Sequence, residues 1–348
     1  MKLVLAKSLW GVEGADDEEE WDSLFARIRQ DGYSMIECVA AFSFGGSPER
    51  GAKFHALATK HHLGIICQIH TSGGYFRDDL GEYVYCSSFE LEHHLRSVAS
   101  EIDLAMHANP ILINCHGGVD AWDHETQVRF LLGAMDIAKE KGKGVTETNI
   151  CFETHRQRIF CNPFQTRALL ADERIQNSPL TLTADLSHWI VACERQFQTP
   201  SSTMSRDPWW PDLLEAVALR TRLIHCRVGH PQGPQVADVT DKAHKKDVQA
   251  FLDMWGEIWT VQRDRLQLQE SICEVEHGPP PYLPTLPHTN GETSVLNADT
   301  DLWQMNNKVA KLVREEFQDV DEISLQTSRA SLNASATAGL QVQEGLQE

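Results

Sequence analysis

Four strand-like runs in this chain end in a side chain that can bind a cation or move a proton. Asn149-Ile-Cys-Phe-Glu153 ends in a carboxylate, and Thr181–Ala184 is followed at once by Asp185. Arg222-Leu-Ile-His225 ends in an imidazole, and Ser271-Ile-Cys-Glu-Val-Glu276 in a third carboxylate, ahead of Gly278-Pro-Pro-Pro281. Glu153, Asp185, His225 and Glu276 are separated by 32, 40 and 51 residues. Each interval has room for one helix and a return strand, so the four can meet at one end of a parallel sheet. Three carboxylates and one ring nitrogen suit Mn²⁺, Mg²⁺, Co²⁺ or Zn²⁺ and disfavour a soft thiolate site. A single acid near a strand end is most often a helix cap or a surface charge. Four in this order describe a divalent-metal site at the mouth of a barrel.

A second set of polar residues falls around the same strand ends. His70 and His116 end two earlier strand-like runs, and His188 stands three residues beyond Asp185. Each could be a hydrogen-bonded structural histidine, a grip on substrate hydroxyls or an extra metal ligand. Arg156 and Arg227 follow Glu153 and His225 closely; either could clamp an anion or hydroxyl pair, or pair with a neighbouring acid. Trp10, Trp122 and Trp189 could wall a sugar face, with core packing the expectation for at least one. Cys115 beside His116 reads as a buried thiol. Gly229-His-Pro-Gln-Gly-Pro234 lacks the spacing of a phosphate-binding loop.

The elements that must position these residues alternate along the chain, which indicates a parallel α/β sheet. Strands are expected at Leu3–Ala6, Met35–Glu37, Gly64–Ile69 and Pro110–Cys115, then at the four runs above. Helices are expected at Glu18–Arg29, from Ser47-Pro48 onward, and at Glu90–Met106, His124–Lys141, Asn162–Ala171, Pro211–Leu219, Lys242–Arg265 and Leu302–Phe317. Trp21, Leu24, Phe25 and Ile28 recur at spacings of three and four, which puts them on one helix face. Ser47 before Pro48 is a helix start. Eight strand–helix units close into a (β/α)8 TIM barrel. Thr71–Gly74 reads as a loop, and Pro279–Thr300 as a long Pro-rich one of the kind that is usually functional or mobile. Residues 1–318 are expected to form the barrel. Residues 319–348, rich in Ser, Ala, Asn and Gln, read as a disordered tail.

Composition narrows the function classes. The chain has 348 residues, 41% of them apolar, enough for one large barrel domain. A formal charge of −19 repels phosphate at long range and argues against nucleic acid or an anionic membrane as partner. Nine cysteines without a C-x-x-C pair read as reduced thiols. With no leader-like N-terminus and no apolar run of spanning length, a cytoplasmic protein is expected, with a homodimer the default assembly.

Several segments resemble the sugar phosphate isomerase/epimerase branch of the xylose isomerase-like TIM barrels. They are Glu153-Thr-His-Arg156, Thr183-Ala-Asp-Leu-Ser-His-Trp189, Ile224-His-Cys-Arg-Val-Gly229 with Gln232–Val236, Glu276-His-Gly-Pro-Pro-Pro-Tyr282, and Asp301-Leu-Trp-Gln-Met-Asn306. The likeness spans roughly residues 1–318; its motifs are specific for fold and metal centre and poor for substrate. It implies one divalent ion held by Glu153, Asp185, His225 and Glu276, and proton transfer next to a carbonyl through an enediolate. It implies Glu153 and Glu276 as the acid/base pair and His188 on a substrate oxygen, with a small sugar, keto-sugar or polyol as substrate. The zinc phosphodiesterase arm of the superfamily, which repairs abasic DNA, would also use His70, His116 and His188. It needs a further Asp-x-His, where this chain has Asp238-Val-Thr240. Lyase or dehydratase chemistry on a polyol begins with the same proton removal, and a non-catalytic metal-binding protein is a third class.

Overall fold

In a computed structural model, the structure describes residues 1–45, 47–71, 73–77, 82–86, 88–141, 149–197, 207–283, 285–287, 293–295 and 301–320. The expected tail lies outside these residues, apart from its first two positions, which finish the last helix. The barrel strands are β1 (Lys2–Ser8), β2 (Met35–Val39), β3 (Gly64–His70), β4 (Leu112–His116), β5 (Ile150–Glu153), β6 (Thr181–Ala184), β7 (Thr221–Cys226) and β8 (Glu270–Val275). All pair in parallel, each with its sequence neighbours, and β8 closes on β1. This is the expected (β/α)8 barrel.

The main helices are α1 (Trp21–Gln30), α2 (Pro48–Lys60), α3 (Leu91–Ala105), α4 (His124–Lys141), α5 (Pro163–Ala171), α6 (Trp210–Ala218), α7 (Lys245–Asp264) and α8, residues 302–320. Local chemistry accounts for their starts and faces. Trp21, Leu24, Phe25 and Ile28 are the buried face of α1. Ser47 and Asn162 cap α2 and α5 by accepting from the backbone N–H groups of Arg50 and Gln165, each with Pro in the first helical turn. A 3₁₀ turn, Lys242–His244, precedes α7 where the sequence suggested continuous helix.

Two loop readings change. Gly73, expected in a loop, begins a strand: Gly73–Arg77 pairs antiparallel with Glu82–Cys86. The Pro-rich loop after β8 holds a second ladder, Thr285–Pro287 with Thr293–Val295, and the rest of its length beyond Leu283 lies outside the described residues. In both, the connection is long enough to fold back and satisfy its own backbone groups.

The barrel interior is layered with the period of two that strands impose. Val4, Ala6, Met35, Ile66, Leu112, Cys151 and Leu223, with Ile272, form an apolar plug inside it. Two residues further along each strand the same face carries Ser8, Glu37, Gln68, Asn114, Glu153, His225 and Glu274, all polar and all buried. The outward faces join the helices in the larger core, which takes in Cys38, Cys67, Cys115, Cys226 and Cys273. Cys38, Cys67, Cys115, Cys151, Cys161, Cys193, Cys226 and Cys273 are free thiols. Among the described residues no helix is long and apolar enough to cross a membrane.

Candidate metal centre

Each of the four strand-end residues reaches the barrel mouth by a different route. Glu153 is the last residue of β5 and Asp185 the first after β6. His225 is the penultimate residue of β7. Glu276 is one residue past β8, which ends at Val275 rather than at the carboxylate. One ligand atom from each lies within 4.8 Å of the others, and all four residues are buried. His225 Nδ1 is 2.9 Å from Glu276 Oε2, 3.7 Å from Glu153 Oε2 and 4.0 Å from Asp185 Oδ2. Glu153 Oε1, Glu276 Oε2 and His225 Nδ1 make no aligned hydrogen bond despite full burial. Buried polar atoms left so are uncommon and call for a partner. Hard oxygens with one imidazole, aimed at a common point, fit a divalent ion.

The electrostatics are those of acids crowded in a dry site. Burial pushes Asp185 up to about 6 against the pull of the Arg227 guanidinium. Burial also raises Glu153, although the nearby His225 opposes it. Glu276 moves the other way, to about 2: burial would raise it, but Arg227 and His225 outweigh that. At His225 burial disfavours the charged ring, yet Glu276, Glu153 and Glu274 hold it well above the usual imidazole range. A lower pair completes the picture. Burial lifts Glu37 to about 7 and Glu274 well above the carboxylate range, the two carboxyls being hydrogen-bonded to each other.

The other residues expected at the site divide by what they touch. His116 Nε2 is 2.5 Å from Glu153 Oε2 and also meets Gln68 Nε2 at 2.9 Å. His70 stacks on His116 with ring centroids 4.5 Å apart and bonds Gln68 Oε1 at 3.0 Å. His188 Nε2 lies 3.6 Å from Asp185 and 3.9 Å from Glu153, while its Nδ1 accepts from Arg156 Nε at 3.0 Å. Arg227 is enclosed. It donates to Asp185 and to Ser187 Oγ at 3.2 Å, comes within 2.9 Å of His188 Nε2, and stands 3.4 Å from Glu276. Its guanidinium meets acids, one of the two roles the sequence left open for it beside a clamp on substrate. Trp10 meets Tyr282 edge-on at 5.0 Å and lies against Gly278, where any Cβ would collide with the indole. Trp189 and Trp122 belong to the core instead: their indole N–H groups donate to the carbonyls of Phe160 and Phe89. Cys115 is buried, and burial raises its thiol, as expected of an inert one.

Several site residues escaped the sequence reading. Asn114 donates to Glu153 Oε2 at 2.8 Å. His155 tilts between His116 and His188, with centroids 4.7 and 3.8 Å away. Tyr282 faces both guanidinia, 5.0 Å from Arg227 and 5.6 Å from Arg156. Asn114 and Glu274 were findable by stepping two residues along the strand from the apolar layer. Glu37 ends the same kind of strand-like run as the four ligand candidates.

Comparison with known proteins identifies the fold. No family model and no curated sequence matches the chain. Solved structures do. A D-tagatose 3-epimerase-like protein aligns with a TM-score of 0.56 at 13% identity over 93% of this chain and 100% of that one. A D-psicose 3-epimerase crystallised in the presence of D-fructose aligns at 0.55 and 12% identity, over 90% and 99%. A xylose isomerase-like TIM barrel protein from Mycobacterium smegmatis in complex with magnesium aligns at 0.53 and 12%, over 92% and 98%. The chain thus has the xylose isomerase-like barrel fold.

Proposed function

We propose that this protein is a divalent-metal-dependent isomerase or epimerase of a sugar, keto-sugar or polyol. The observation that carries the reading is the convergence of Glu153, Asp185, His225 and Glu276, with ligand atoms within 4.8 Å of one another. Structural neighbours named as D-psicose and D-tagatose-type 3-epimerases lend it support, as does the neighbour that carries magnesium. When bound, a divalent ion supplies Lewis-acid polarisation of a carbonyl and its neighbouring hydroxyl. Asp185 and His225 serve as holding groups. Glu153 and Glu276 have the further task of removing a proton next to the carbonyl and returning one.

The remaining residues orient and exclude. His188 is anchored through Nδ1 by Arg156, and its Nε2 lies near Arg227, Asp185 and Glu153; in this reading it holds a substrate oxygen. Burial first, and nearby cationic groups second, lower His70 and His116 well below the usual imidazole range; as uncharged rings they would accept from or donate to hydroxyls. Trp10 and Tyr282 supply an aromatic edge at the mouth that suits a sugar face and keeps water out.

The test is metal content and solvent exchange together. We expect about one divalent ion per chain by elemental analysis, and deuterium from solvent entering at least one member of a ketose and keto-polyol panel. Glu153→Gln and Glu276→Gln should lower exchange by roughly 10²-fold or more while the circular dichroism stays that of the parent. Three tightly bound zinc ions with cleavage of abasic DNA would replace this reading by a phosphodiesterase. An ion without exchange on any panel member would leave a metal-binding protein.

A further inference from the structure

In the polar layer that holds Glu153 and His225 the barrel carries two more carboxylates, Glu37 on β2 and Glu274 on β8. Both are buried, at 2% and 0% exposure. Glu274 Oε2 lies 3.7 Å and Glu37 Oε2 3.8 Å from His225 Nε2, on the ring edge opposite Nδ1. Asn114 Nδ2 also lies near that nitrogen, at 3.5 Å. The next layer down is the apolar plug of Val4, Met35, Leu112 and Leu223, which offers the two acids nothing. Beyond the hydrogen bond between the two carboxyls, Glu37 Oε1 and both oxygens of Glu274 have no partner. Burying an acid without a partner costs several kcal/mol by order of magnitude. Acids in that position therefore need a purpose that an apolar residue could not serve.

The geometry around His225 supplies it. A neutral imidazole has one N–H and one lone pair. A ring that ligates through Nδ1 carries its proton on Nε2, and that N–H needs an acceptor. Ligating histidines usually donate this second N–H to a carboxylate or carbonyl, which sets ring orientation and raises basicity. We propose that Glu37 and Glu274 are positioning residues: an acceptor floor under His225 that holds Nδ1 toward the cation and Nε2–H toward the barrel axis. The inference rests on the metal reading of the four-residue cluster. The two acids sit on strands flanking the site, and β8 carries Glu274 and leads directly into Glu276. One strand thus supports the imidazole from below and faces it from the mouth.

The test is carried out without substrate, so that it does not depend on turnover. Metal-stripped protein is titrated calorimetrically with Mn²⁺ and with Zn²⁺. Glu37→Gln and Glu274→Gln keep side-chain size and replace one carboxyl oxygen by an amide NH2; Glu37→Asp keeps the carboxyl and withdraws it from Nε2; Glu92→Gln on exposed α3 surface is the control. We expect one ion per chain throughout, with Kd raised about 10- to 100-fold in the Gln variants, raised also in Glu37→Asp, and unchanged in the control. In the zinc-loaded wild type, the ¹H–¹⁵N signal of His225 Nε2–H should persist in water, and it should exchange away in Glu274→Gln. Should a Gln variant fail to fold, Glu37→Asp and the wild-type imidazole signal decide the matter. Unchanged Kd in folded variants overturns the proposal, and so does a second ion per chain that only the variants lose, since the acids would then be ligands. A wild type that takes up no ion sinks both this inference and the metal reading. A wild type that takes up one ion but exchanges no deuterium sinks only the enzymatic reading.

Discussion

At the scale of single residues, Arg227 decides how so many acids coexist. It is buried at 2% exposure and meets Asp185, Glu276, Ser187 and His188. A planar guanidinium can serve several acceptors at once, whereas an ammonium is a point charge. Removing one partner from a buried ion pair leaves an uncompensated charge, at a cost of about 3–5 kcal/mol. Arg227→Met should therefore lower the unfolding free energy by about that amount in urea titrations, and Arg227→Lys should recover only part of it. A loss under about 1 kcal/mol for Arg227→Met would show that the acids shed their charge instead.

Between elements, the contacts of α8 decide how the barrel is closed. Its Asn306 side chain accepts from the His277 N–H at 2.9 Å and donates to the His277 carbonyl at 3.0 Å. Gln235 does the same for Gly278, at 2.8 and 3.0 Å. The chain just after Glu276 is thus clipped on both sides. Lys7, on the outward face of β1, packs its ammonium over the Trp303 ring of α8, with Nζ 4.2 Å from the centroid and no hydrogen-bond partner. Burial lowers Lys7 to about 8 from 10.5, only partly offset by Asp31. The folded state then releases its proton at lower pH than the unfolded chain. Burial penalises the charged form below pH 8, and stability rises with pH as that penalty is relieved between 8 and 10.5. The wild type should gain about 3 kcal/mol over that window relative to Lys7→Met, measured by denaturant unfolding at each pH. A flat difference would mean that the amine is solvated.

The same elements show what a reader of the sequence could see. Ile-Cys-Phe and Arg-Leu-Ile runs closing on an acid or imidazole announce buried strands and a polar rim, because a parallel strand is apolar on both faces until it leaves the barrel. Ser47-Pro48 and Asn162-Pro163 announce helix starts through their capping chemistry. Glu37 and Glu274 were passed over for a physical reason. Glu37 closes a short run with a single acid, which by itself reads as a cap or a surface charge, and Glu274 stands two residues before the more conspicuous Glu276. The Gly73–Cys86 hairpin was hidden because its pairing is local to one connection and glycine marks its start as loop. Arg227 was visible as a charge near the mouth, but only the fold reveals that acids surround it.

For the whole molecule, the charge of −19 and the metal reading make separate predictions. The first concerns partners. A protein that neutralises few phosphates gains little from counterion release. We expect no retardation of plain or abasic duplex DNA at physiological salt. Salt-sensitive binding in gel shifts would point to a basic surface hidden by the net charge.

The second concerns cohesion of the barrel. The four candidate ligands come from β5, β6, β7 and β8, consecutive strands that make up half of the closed sheet. An ion that binds only the folded arrangement stabilises it by RT ln(1 + [L]/Kd), about 2.7 kcal/mol when free ion is 100 times Kd. For a domain of this size that corresponds to a rise of roughly 4 °C in unfolding temperature. Part of the gain comes from relieving repulsion, since Glu153, Asp185 and Glu276 crowd one ring in the absence of a cation. Scanning calorimetry with and without chelator should show the shift, growing with the logarithm of added Mn²⁺ or Zn²⁺. Asp185→Asn should abolish most of it, because a neutral amide is a weaker ligand and reduces the repulsion that the ion relieves. An unfolding temperature indifferent to chelation, in protein shown to have lost its ion, would mean that the four strands are already held in place without the cation.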